Sequence, residues 1–560
     1  MAVDAAPRGT VETGRPSAAS LVWSYLRYEN RAFWRSPIAA FFTIIFPLLF
    51  LVLLSSLVGN EEIPDSGGLR VAQFLTPAIA AFAATTASFT SLAIGVVIER
   101  DDGLLKRARG TPLAPWMYMA ARIGSTVWVA LVSVVLMIVV GVVFFGVQLV
   151  GRTVPAAVLT IMVGIGSFAA LGLAIVSLAP SQGATQALTN AIILPLAFVS
   201  DIFVIGPLPE WLERIGWFFP LKHFVNALAD TFDPFSTGPQ LSWDHLAVMT
   251  AWGLSGAVVA LRFFRWEPGP SGPAWSGLAA GGPDEPPPAP DPAKALQPIE
   301  RTDRPDIASM IANQATYAVR AFWRDTASAF FTVGFPVMLL LLLPVVFGDG
   351  ELSNRGGVPL TQFLAPVLAV FGAATAAYAD FSERVARSRD QGVLKRIHGT
   401  PLPVWAFMAG RVTSAVVVAF VSLTLTMTVG IVVHDVELVP GALPGLITSV
   451  VVGIACFAAL GLALATIAPN ARAVPAIANA TLLPLAFFSD IFLIGDLPPW
   501  MDAVGWVFPL KHFANAVADA VNPTVPGAGF FWDHLAVMAA WGVVGTLVAL
   551  RFWTWEPRSA

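Results

Sequence analysis

Two short basic segments stand out among the few charged residues of this chain. The first runs from Gly103 to Pro112 (GLLKRARGTP) and the second from Gly392 to Pro401 (GVLKRIHGTP). Lys and Arg side chains at this density offer electrostatic docking to acidic groups of a partner. The sequence contains no phosphate-binding loop of the form G-x-x-x-x-G-K-S/T, no H-E-x-x-H and no G-x-S-x-G. We therefore predict no catalytic residues and no enzyme activity in this chain.

The composition places both segments in a membrane protein. The 560 residues are 56% hydrophobic and 12% charged, with a mean hydropathy of +0.72. Soluble domains carry about 25% charged residues, so this chain belongs in a lipid bilayer. The single cysteine, Cys456, excludes an intramolecular disulfide and a cysteine-based metal cluster. We predict no metal site and, without a basic patch of the required kind, no nucleic-acid partner.

The chain is an internal duplication. Matched residues are separated by the same 289 positions throughout, as in the pairs Pro47 and Pro336, Gln73 and Gln362, Arg122 and Arg411, and Trp243 and Trp532. We predict a disordered tail over 1–19, a first half over 20–265 and a second half over 306–556. Residues 266–305, rich in Pro and Gly, form an extended cytoplasmic linker between the halves.

Each half contains six apolar segments. In the first half these are Ile38–Val58, Val71–Ile98, Ile123–Val147, Val154–Leu178, Ala184–Ser200 and Leu246–Leu261. The first four exceed the roughly 20 residues that a helix needs to cross a bilayer, and the last two are shorter. The predicted fold is therefore an all-α polytopic membrane protein with about 12 transmembrane helices. An even number of crossings per half gives two parallel six-helix repeats that form a pseudo-dimer.

The distribution of basic residues gives the orientation. The N-terminal residues lack the apolar run of a cleavable secretory signal, so the chain is expected to start in the cytoplasm. With six crossings, twelve of the sixteen Lys and Arg residues up to Arg265 then lie on the cytoplasmic side. Both termini and both basic segments are accordingly predicted to be cytoplasmic in a multi-pass protein of the plasma membrane.

The N-terminal part of each half carries an amphipathic pattern. Arg27, Arg31 and Arg35 recur every four residues within 20–36, and Arg320 and Arg324 occupy matching positions in the copy. A stripe of this kind is typical of a helix that lies in the headgroup plane. The alternative is a plain cytoplasmic extension of the first span.

The segment between the fifth and sixth spans is expected on the outer side. Asp201 and Asp490 end the fifth spans, where each is a polar residue at the water boundary or a cap of the following turn. An outer gate or a substrate contact is the alternative role, shared with the aromatic residues Phe203, Phe492, Phe42 and Phe331. Lys222 and Lys511, which stand beside aromatic residues, are predicted to reach the lipid headgroups.

Together these features resemble a known family. The cytoplasmic segment Glu99-Arg100 to Gly110-Thr111-Pro112-Leu113 after the second span, the interfacial helix and the aromatic outer segment occur twice in the same order. They resemble the type-2 ATP-binding-cassette (ABC) transporter permeases, and the daunorubicin- and tetronasin-type drug exporters of actinobacteria in particular. The resemblance covers about 20–265 and 306–556.

The resemblance implies the partners and the function. In that family an ATPase subunit grips the segment after the second span, so two copies of a cytoplasmic ABC ATPase would bind here, with ATP and Mg²⁺ held by the ATPase and no cofactor held by this chain. The chain would export hydrophobic or amphipathic small molecules such as antibiotics. Export of a lipid or glycolipid, and ion-coupled secondary transport, are the alternatives. The ATPase-coupling residues would be Gly103, Leu104, Leu105, Lys106, Arg107, Gly110, Thr111 and Pro112, with Gly392, Val393, Leu394, Lys395, Arg396, Gly399, Thr400 and Pro401 in the copy.

The two copies differ at the coupling segment. Ser388 replaces Glu99, His398 replaces Arg109, and a charged stretch from Asp380 to Arg389 replaces an apolar one. We therefore expect the second span of the second half to leave the membrane earlier, and the two coupling segments to be unequal.

Overall fold

The computed structural model describes residues 17–57, 70–109, 115–203, 208–265, 307–398, 404–471, 473–492 and 497–554. The first half begins with an amphipathic helix, Ala18–Trp34. Its six spans are Pro37–Ala40 continuing through Phe41–Ile45 and Phe46–Leu57; Val71–Thr85 continuing through Thr86–Ser91 and Leu92–Asp101; Pro115–Phe145; Val154–Leu178; Gln182–Val199; and Trp243–Phe263. A short helix, Leu104–Arg109, follows the second span, and the helices Glu210–Phe218 and Pro220–Asp230 lie between the fifth and sixth spans.

The second half repeats this order after the amphipathic helix Ile307–Arg324. Its spans are Thr326–Ala329 continuing through Phe330–Gly334 and Phe335–Phe347; Leu360–Ala374 continuing through Thr375–Asp380 and Phe381–Asp390; Val404–His434; Leu443–Ile467; Val474–Phe488; and Trp532–Phe552. The short helix is Val393–His398, and Pro499–Gly505 and Pro509–Val521 precede the sixth span. Two short antiparallel strands, Glu351–Leu352 and Val358–Pro359, join the first and second spans.

Local sequence explains where several helices begin. Ser17 caps the first amphipathic helix by accepting a hydrogen bond from the Ser20 amide, and Ser181 caps the fifth span in the same way with the Ala184 amide. The π-helical turns Phe41–Ile45 and Thr86–Ser91 recur at matching positions in the second half. Such turns often occur at functional sites, and here they mark the first and second spans of both halves.

The second span is the centre of each half. In Leu360–Asp390 the whole apolar window lies inside the protein, and in Val71–Asp101 78% of it does, against 33% for the third span of the first half. The fourth span packs beside it, and the sixth span packs closely against the fourth. A Cβ atom on Gly256 of the sixth span would lie 2.9 Å from the Leu171 amide nitrogen of the fourth span, so only glycine permits this approach.

The halves meet along a seam between first and fifth spans. At the end that carries the short helix, here called the coupling end, Thr326–Ala329 of the second half contacts the fifth span of the first half, and Pro37–Ala40 contacts Val474–Phe488. At the opposite, distal end, Val346 packs against Val199 and Leu53 packs against Phe487. The first span of each half therefore runs parallel to the fifth span of the other, which confirms the predicted parallel pseudo-dimer.

The structure refines the predicted spans. Among the described residues, nine helices are long and apolar enough to cross a membrane, and the shorter ones, including Phe41–Ser56 and Val474–Phe488, belong to the seam. The third span begins at Pro115 and not at Ile123, and the sixth begins at Trp243 and not at Leu246. The two second spans are both 31 residues long, so the charged stretch in the second half does not shorten its helix.

Candidate functional site

The coupling segments form two short helices behind a glycine turn. Gly103 and Gly392 have φ angles of +71° and +68°, a left-handed conformation that lets the second span stop and the next helix start at once. Leu105 is fully buried and anchors the first short helix, as the 1% exposed Leu394 anchors the second. Leu104, Lys106 and Arg107 are exposed, as are Lys395 and Arg396, whereas Val393 is half-buried. The predicted residues Gly110, Thr111, Pro112, Gly399, Thr400 and Pro401 lie outside the described part of the chain.

A buried arginine and the aspartate after it fasten the end of the second span to the end of the fourth and the start of the fifth. Arg100, 3% exposed, donates hydrogen bonds to the carbonyl oxygens of Val176 at 2.9 Å and Ala179 at 3.2 Å, at the end of the fourth span. The adjacent Asp101 accepts one from the Gln182 amide at 3.1 Å. We call Arg100 and Asp101 the arginine clasp of the first half.

The second half has the same clasp. Arg389 donates to the carbonyl oxygens of Ala465 at 2.8 Å and Ala468 at 3.3 Å, and Asp390 accepts from the Ala471 amide at 2.6 Å. Sequence reasoning missed these residues. The available signal was an Arg-Asp pair at the same distance before the glycine in both copies.

The predicted interfacial helices present their arginines outward. Arg27, Arg31 and Arg35 line an open groove of about 310 Å³ together with Ser24, Tyr28 and Ala32. In the second half Arg320 and Arg324 are exposed on the equivalent helix. The placement fits a helix at the headgroup level, where exposed aromatic residues such as Tyr28 are common.

At the distal end the first half is closed by a buried ion pair. Asp201 has a φ angle of +60°, an uncommon left-handed conformation for a residue other than glycine. Its carboxylate lies 3.1 Å from the Lys222 ammonium and accepts a hydrogen bond from the Asn226 amide at 3.2 Å. The Lys222 side chain is only 4% exposed. The prediction that Lys222 reaches the lipid headgroups is therefore wrong, because its partner is the acid at the end of the fifth span.

The second half repeats this ion pair and extends it. Asp490 also has a φ angle of +60° and lies 3.2 Å from the Lys511 ammonium, which is buried too. Lys511 donates in addition to Asp502 at 2.6 Å. Arg355, from the turn between the two short strands, donates to Asp490 at 3.2 Å. The headgroup prediction is wrong for Lys511 for the same reason.

A histidine pair lies beside each ion pair. The Nδ1 atoms of His223 and His245 are 2.8 Å apart, and the His223 Nε2 lies 2.7 Å from the Trp217 carbonyl oxygen. A carbonyl only accepts, so His223 carries its proton on Nε2 and His245 donates from Nδ1. Burial lowers the pKa of His223, and the nearby His245 adds to this effect. His512 and His534 repeat the pair at 2.9 Å.

The histidine pair and the ion pair of each half lie together at the distal end. Among the described residues no group of three or more His, Cys, Asp or Glu side chains could hold a metal ion. We call Asp201, Lys222, His223 and His245 the first distal cap, and Asp490, Lys511, His512 and His534 the second. The caps join the fifth and sixth spans through the helices between them.

Aromatic rings cross the seam next to the distal caps. The Phe50 ring centroid lies 4.7 Å from that of Phe203 in its own half and 4.7 Å from that of Phe487 in the other half. Phe487 in turn lies 5.2 Å from Phe492. Phe203 and Phe492, both predicted at an outer gate, are thus joined into one cluster.

Two other predicted path residues lie elsewhere in the first spans. The ring contacts of Phe42 are with Phe41 and Phe46 of its own span. Those of Phe331 are with Phe330 and Phe335. These contacts place both residues beside the π-helical turns and one ring away from the cluster that bridges the halves, because Phe46 lies 4.7 Å from Phe50 and Phe335 lies 6.4 Å from Phe492.

The geometry defines a class of protein: a helical membrane protein of two fused six-span halves, with a short helix after the second span of each half. Residues 20–232 and 315–521 match the family described as ABC-2 type transporter, and together they make up more than half of the chain. The chain therefore belongs to the ABC-2 type transporter family, as the sequence predicted. Members of this family are the membrane-spanning permeases of ABC transporters, without the ATPase domain.

Two bacterial proteins illustrate the relationship. The chain is 23% identical over 132 residues to "Probable multidrug ABC transporter permease YbhR" of Escherichia coli strain K12, a match that covers 23% of this chain and 36% of YbhR. It is 22% identical over 226 residues to "Putative transport permease YvfS" of Bacillus subtilis strain 168, which covers 40% of this chain and 89% of YvfS. The chain thus spans about a third of the length of YbhR.

Proposed function

We propose that this chain is the membrane part of an ATP-driven exporter of hydrophobic or amphipathic small molecules. Two copies of a separate cytoplasmic ABC ATPase, which hold the ATP and Mg²⁺, bind the helices Leu104–Arg109 and Val393–His398. Both termini face the cytoplasm of the cell whose plasma membrane holds the protein, and the distal caps face outward. The observation that carries the proposal is a continuous connection from each coupling helix to the seam between the halves.

The connection runs through the arginine clasp. A push on Leu104–Arg109 acts directly on the end of the second span through Gly103. The clasp transmits this displacement to the first residues of the fifth span, because Asp101 accepts a hydrogen bond from the Gln182 amide there. The fifth span lines the seam and ends at Val199, just before Asp201 and Phe203 of the aromatic cluster. Movement of the coupling helix therefore displaces the distal end of the seam.

The lining of the seam supports an apolar cargo. Phe50, Phe203 and Phe487 offer ring faces and no charge, and the leucine and valine side chains around them are equally apolar. A hydrophobic or amphipathic molecule replaces such ring contacts without leaving polar groups unpaired. The name of the relative YbhR refers to multidrug transport, which supports drug efflux as the activity.

The ATPase contact can be tested by reversing the exposed charges. Lys106→Glu with Arg107→Glu keeps the buried Leu105 anchor and changes only the exposed surface. We expect this variant to lose copurification of a polypeptide with a phosphate-binding loop when the protein is isolated from its native membrane. Arg214→Glu, a change at an exposed distal residue, is the control and should retain it. Unchanged copurification in the coupling variant would refute the assignment.

The cargo and the energy source need separate measurements. In vesicles that contain the permease and the copurified ATPase, we expect ATP-dependent movement of a lipophilic fluorescent dye, reduced by Phe50→Ala. Movement of a fluorescent phospholipid without movement of the dye would favour a lipid exporter. Dye movement driven by a pH gradient in the absence of the ATPase would favour a secondary transporter.

A further inference from the structure

The coupling ends of the two halves are held by different charge networks. In the first half, the Arg122 guanidinium of the third span lies between two acids. It pairs with Glu99, at the end of the second span, at 2.8 Å, and with Glu29 of the amphipathic helix. Tyr118 donates its hydroxyl to the second oxygen of Glu99. These contacts form a knot, defined here as Glu29, Glu99, Arg122 and Tyr118, that joins three helices.

The knot is enclosed by the protein. The side chains of Glu29, Arg122 and Glu99 are 4%, 13% and 15% exposed. Burial raises the pKa of Glu29, and the Arg122 charge opposes that rise, so Glu29 depends on Arg122 to stay ionised. A Cβ atom on Gly95 would lie 1.8 Å from an Arg122 side-chain nitrogen, so this glycine leaves the space that the guanidinium occupies.

The second half cannot form the knot. Ala318 replaces Glu29, Ser388 replaces Glu99 and Arg384 replaces Gly95. Arg411 is the counterpart of Arg122 and lies over the Phe407 ring at 5.0 Å. Its guanidinium donates a long hydrogen bond, 3.5 Å, to the Ser388 hydroxyl. It therefore has no acid to bind it to the amphipathic helix Ile307–Arg324.

The acids of the second half join a different pair of helices. Asp380 of the second span accepts a hydrogen bond from Thr332 of the first span. Arg384 lies 3.9 Å from Asp325, which caps the first span. These charges connect the second span to the first span, and Arg384 also lies over the Phe322 ring of the amphipathic helix at 5.3 Å. The first half has uncharged residues at the positions of Asp380 and Thr332. The corresponding first-half contact is an uncharged hydrogen bond between Thr43 and Ser91 at 2.7 Å.

We propose that Arg122, with Glu29 and Glu99, is a positioning residue that makes the first coupling helix and the first amphipathic helix move as one body, whereas Arg411 does not bind the second coupling helix to its amphipathic helix, which meets the second span through the Phe322 ring instead. This extends the proposed function, on which its consequence for transport rests. The two ATPase subunits would meet one stiff and one compliant coupling end. ATP-driven displacement would then be transmitted unequally to the two sides of the seam.

Hydrogen exchange of the full chain in lipid nanodiscs tests the stiffness without any ATPase. Arg122→Gln removes the positive charge between two acids that the protein encloses. Loss of one partner of a buried ion pair destabilises the structure around it, so local opening should become more frequent by on the order of 100-fold. We expect that increase in the amides of Ala18–Trp34. The matched variant Arg411→Gln should change the amides of Ile307–Arg324 less than threefold. Equal effects in the two halves would overturn the proposal.

A second variant guards against a folding defect. Glu29→Ala with Glu99→Ser copies the residues that the second half already uses at these positions. We expect it to raise exchange in Ala18–Trp34 while the thermal unfolding midpoint stays close to that of Arg411→Gln. A fall in the midpoint without faster exchange in Ala18–Trp34 would show an ordinary packing role and overturn the proposal.

The transport consequence is measured separately. With the ATPase bound, Arg122→Gln should reduce dye transport per ATP hydrolysed, and Arg411→Gln should leave this ratio unchanged. Equal ratios, with exchange still unequal, would overturn the transport part of the proposal. Copurification of the ATPase with Lys106→Glu and Arg107→Glu tests the proposed function and not the stiffness of the two halves. Failure of the proposed function is therefore distinguishable from failure of this proposal.

Discussion

Removal of Arg100 is expected to weaken the connection between the coupling end and the seam. Arg100→Met keeps an apolar stem of similar length but removes the charged donor from two buried carbonyl groups, those of Val176 and Ala179. Asp101 keeps its bond to the Gln182 amide but loses the Arg100 Nε atom that pairs with it at 3.1 Å, so the change also weakens the side of the clasp that holds the fifth span. The fifth span should then follow the second span less closely.

The size of the effect follows from the two acceptors. A hydrogen bond with a charged donor contributes about 1.5–3 kcal/mol. Two such acceptors at the lower value give about 3 kcal/mol for Arg100, which is 3% exposed. Each 1.36 kcal/mol is a factor of ten, so local opening at the clasp should rise roughly 100-fold.

Hydrogen exchange tests this prediction because it measures local opening separately in each helix. We expect faster exchange in Leu92–Asp101 and in the first turns of Gln182–Val199, with little change in Trp243–Phe263. Arg389→Met should produce the same increase in the second half, because its clasp has the same partners. Arg107→Met, at an exposed site, is the control. An increase below threefold in Arg100→Met would refute the clasp as a mechanical connection.

Three further predictions concern the distal caps and the packing of the spans. Lys222→Met should lower the thermal unfolding midpoint more than Lys511→Met, since the aspartate of the second cap keeps an arginine partner; equal shifts would contradict this. Gly256→Ala should destabilise the protein by about 1–3 kcal/mol in denaturant unfolding, whereas Gly166→Ala, with open space around it, should be neutral. Acid should loosen the first cap: burial lowers the pKa of His223, so the opened form binds more protons and stability is lost as the pH falls below about 6.5. Exchange in Pro220–Asp230 should rise between about pH 7.5 and about pH 5, and a pH response that persists in His223→Gln would exclude this residue as its source.

The span number, the repeat and the short helices after the second spans were predictable from the sequence because they depend on local features. Apolar length decides which segments cross a bilayer, and a constant offset of 289 residues reveals the duplication. The turn at Gly103 was also readable, since a glycine after a helix followed by basic residues is a local signal. The class of the protein followed from the order of these features.

Tertiary partners were not predictable in the same way. The headgroup prediction for Lys222 assumed that a lysine beside aromatic residues is exposed, whereas the fold brings Asp201 to it and buries both. The meeting of Phe50 with Phe487 depends on how two halves pack, and no periodicity within one half encodes it. Arg100 looked like one more positive charge at the cytoplasmic side, because its acceptors are backbone carbonyls that carry no sequence signal.

The duplication has kept the distal caps alike while the coupling ends have diverged. Both caps hold an aspartate with a φ angle of +60°, a buried lysine and a histidine pair at 2.8 or 2.9 Å. If both halves close around one shared path, as proposed, a symmetric cap is the simplest way to give the two walls the same stability. Under the proposed function the coupling ends would face two separate ATPase subunits, so each could change its contacts without disturbing the other. The charge networks at the coupling ends therefore differ, with Arg122 at the centre of one and Arg384 at the centre of the other. This difference is expected when only the distal end has to remain symmetric.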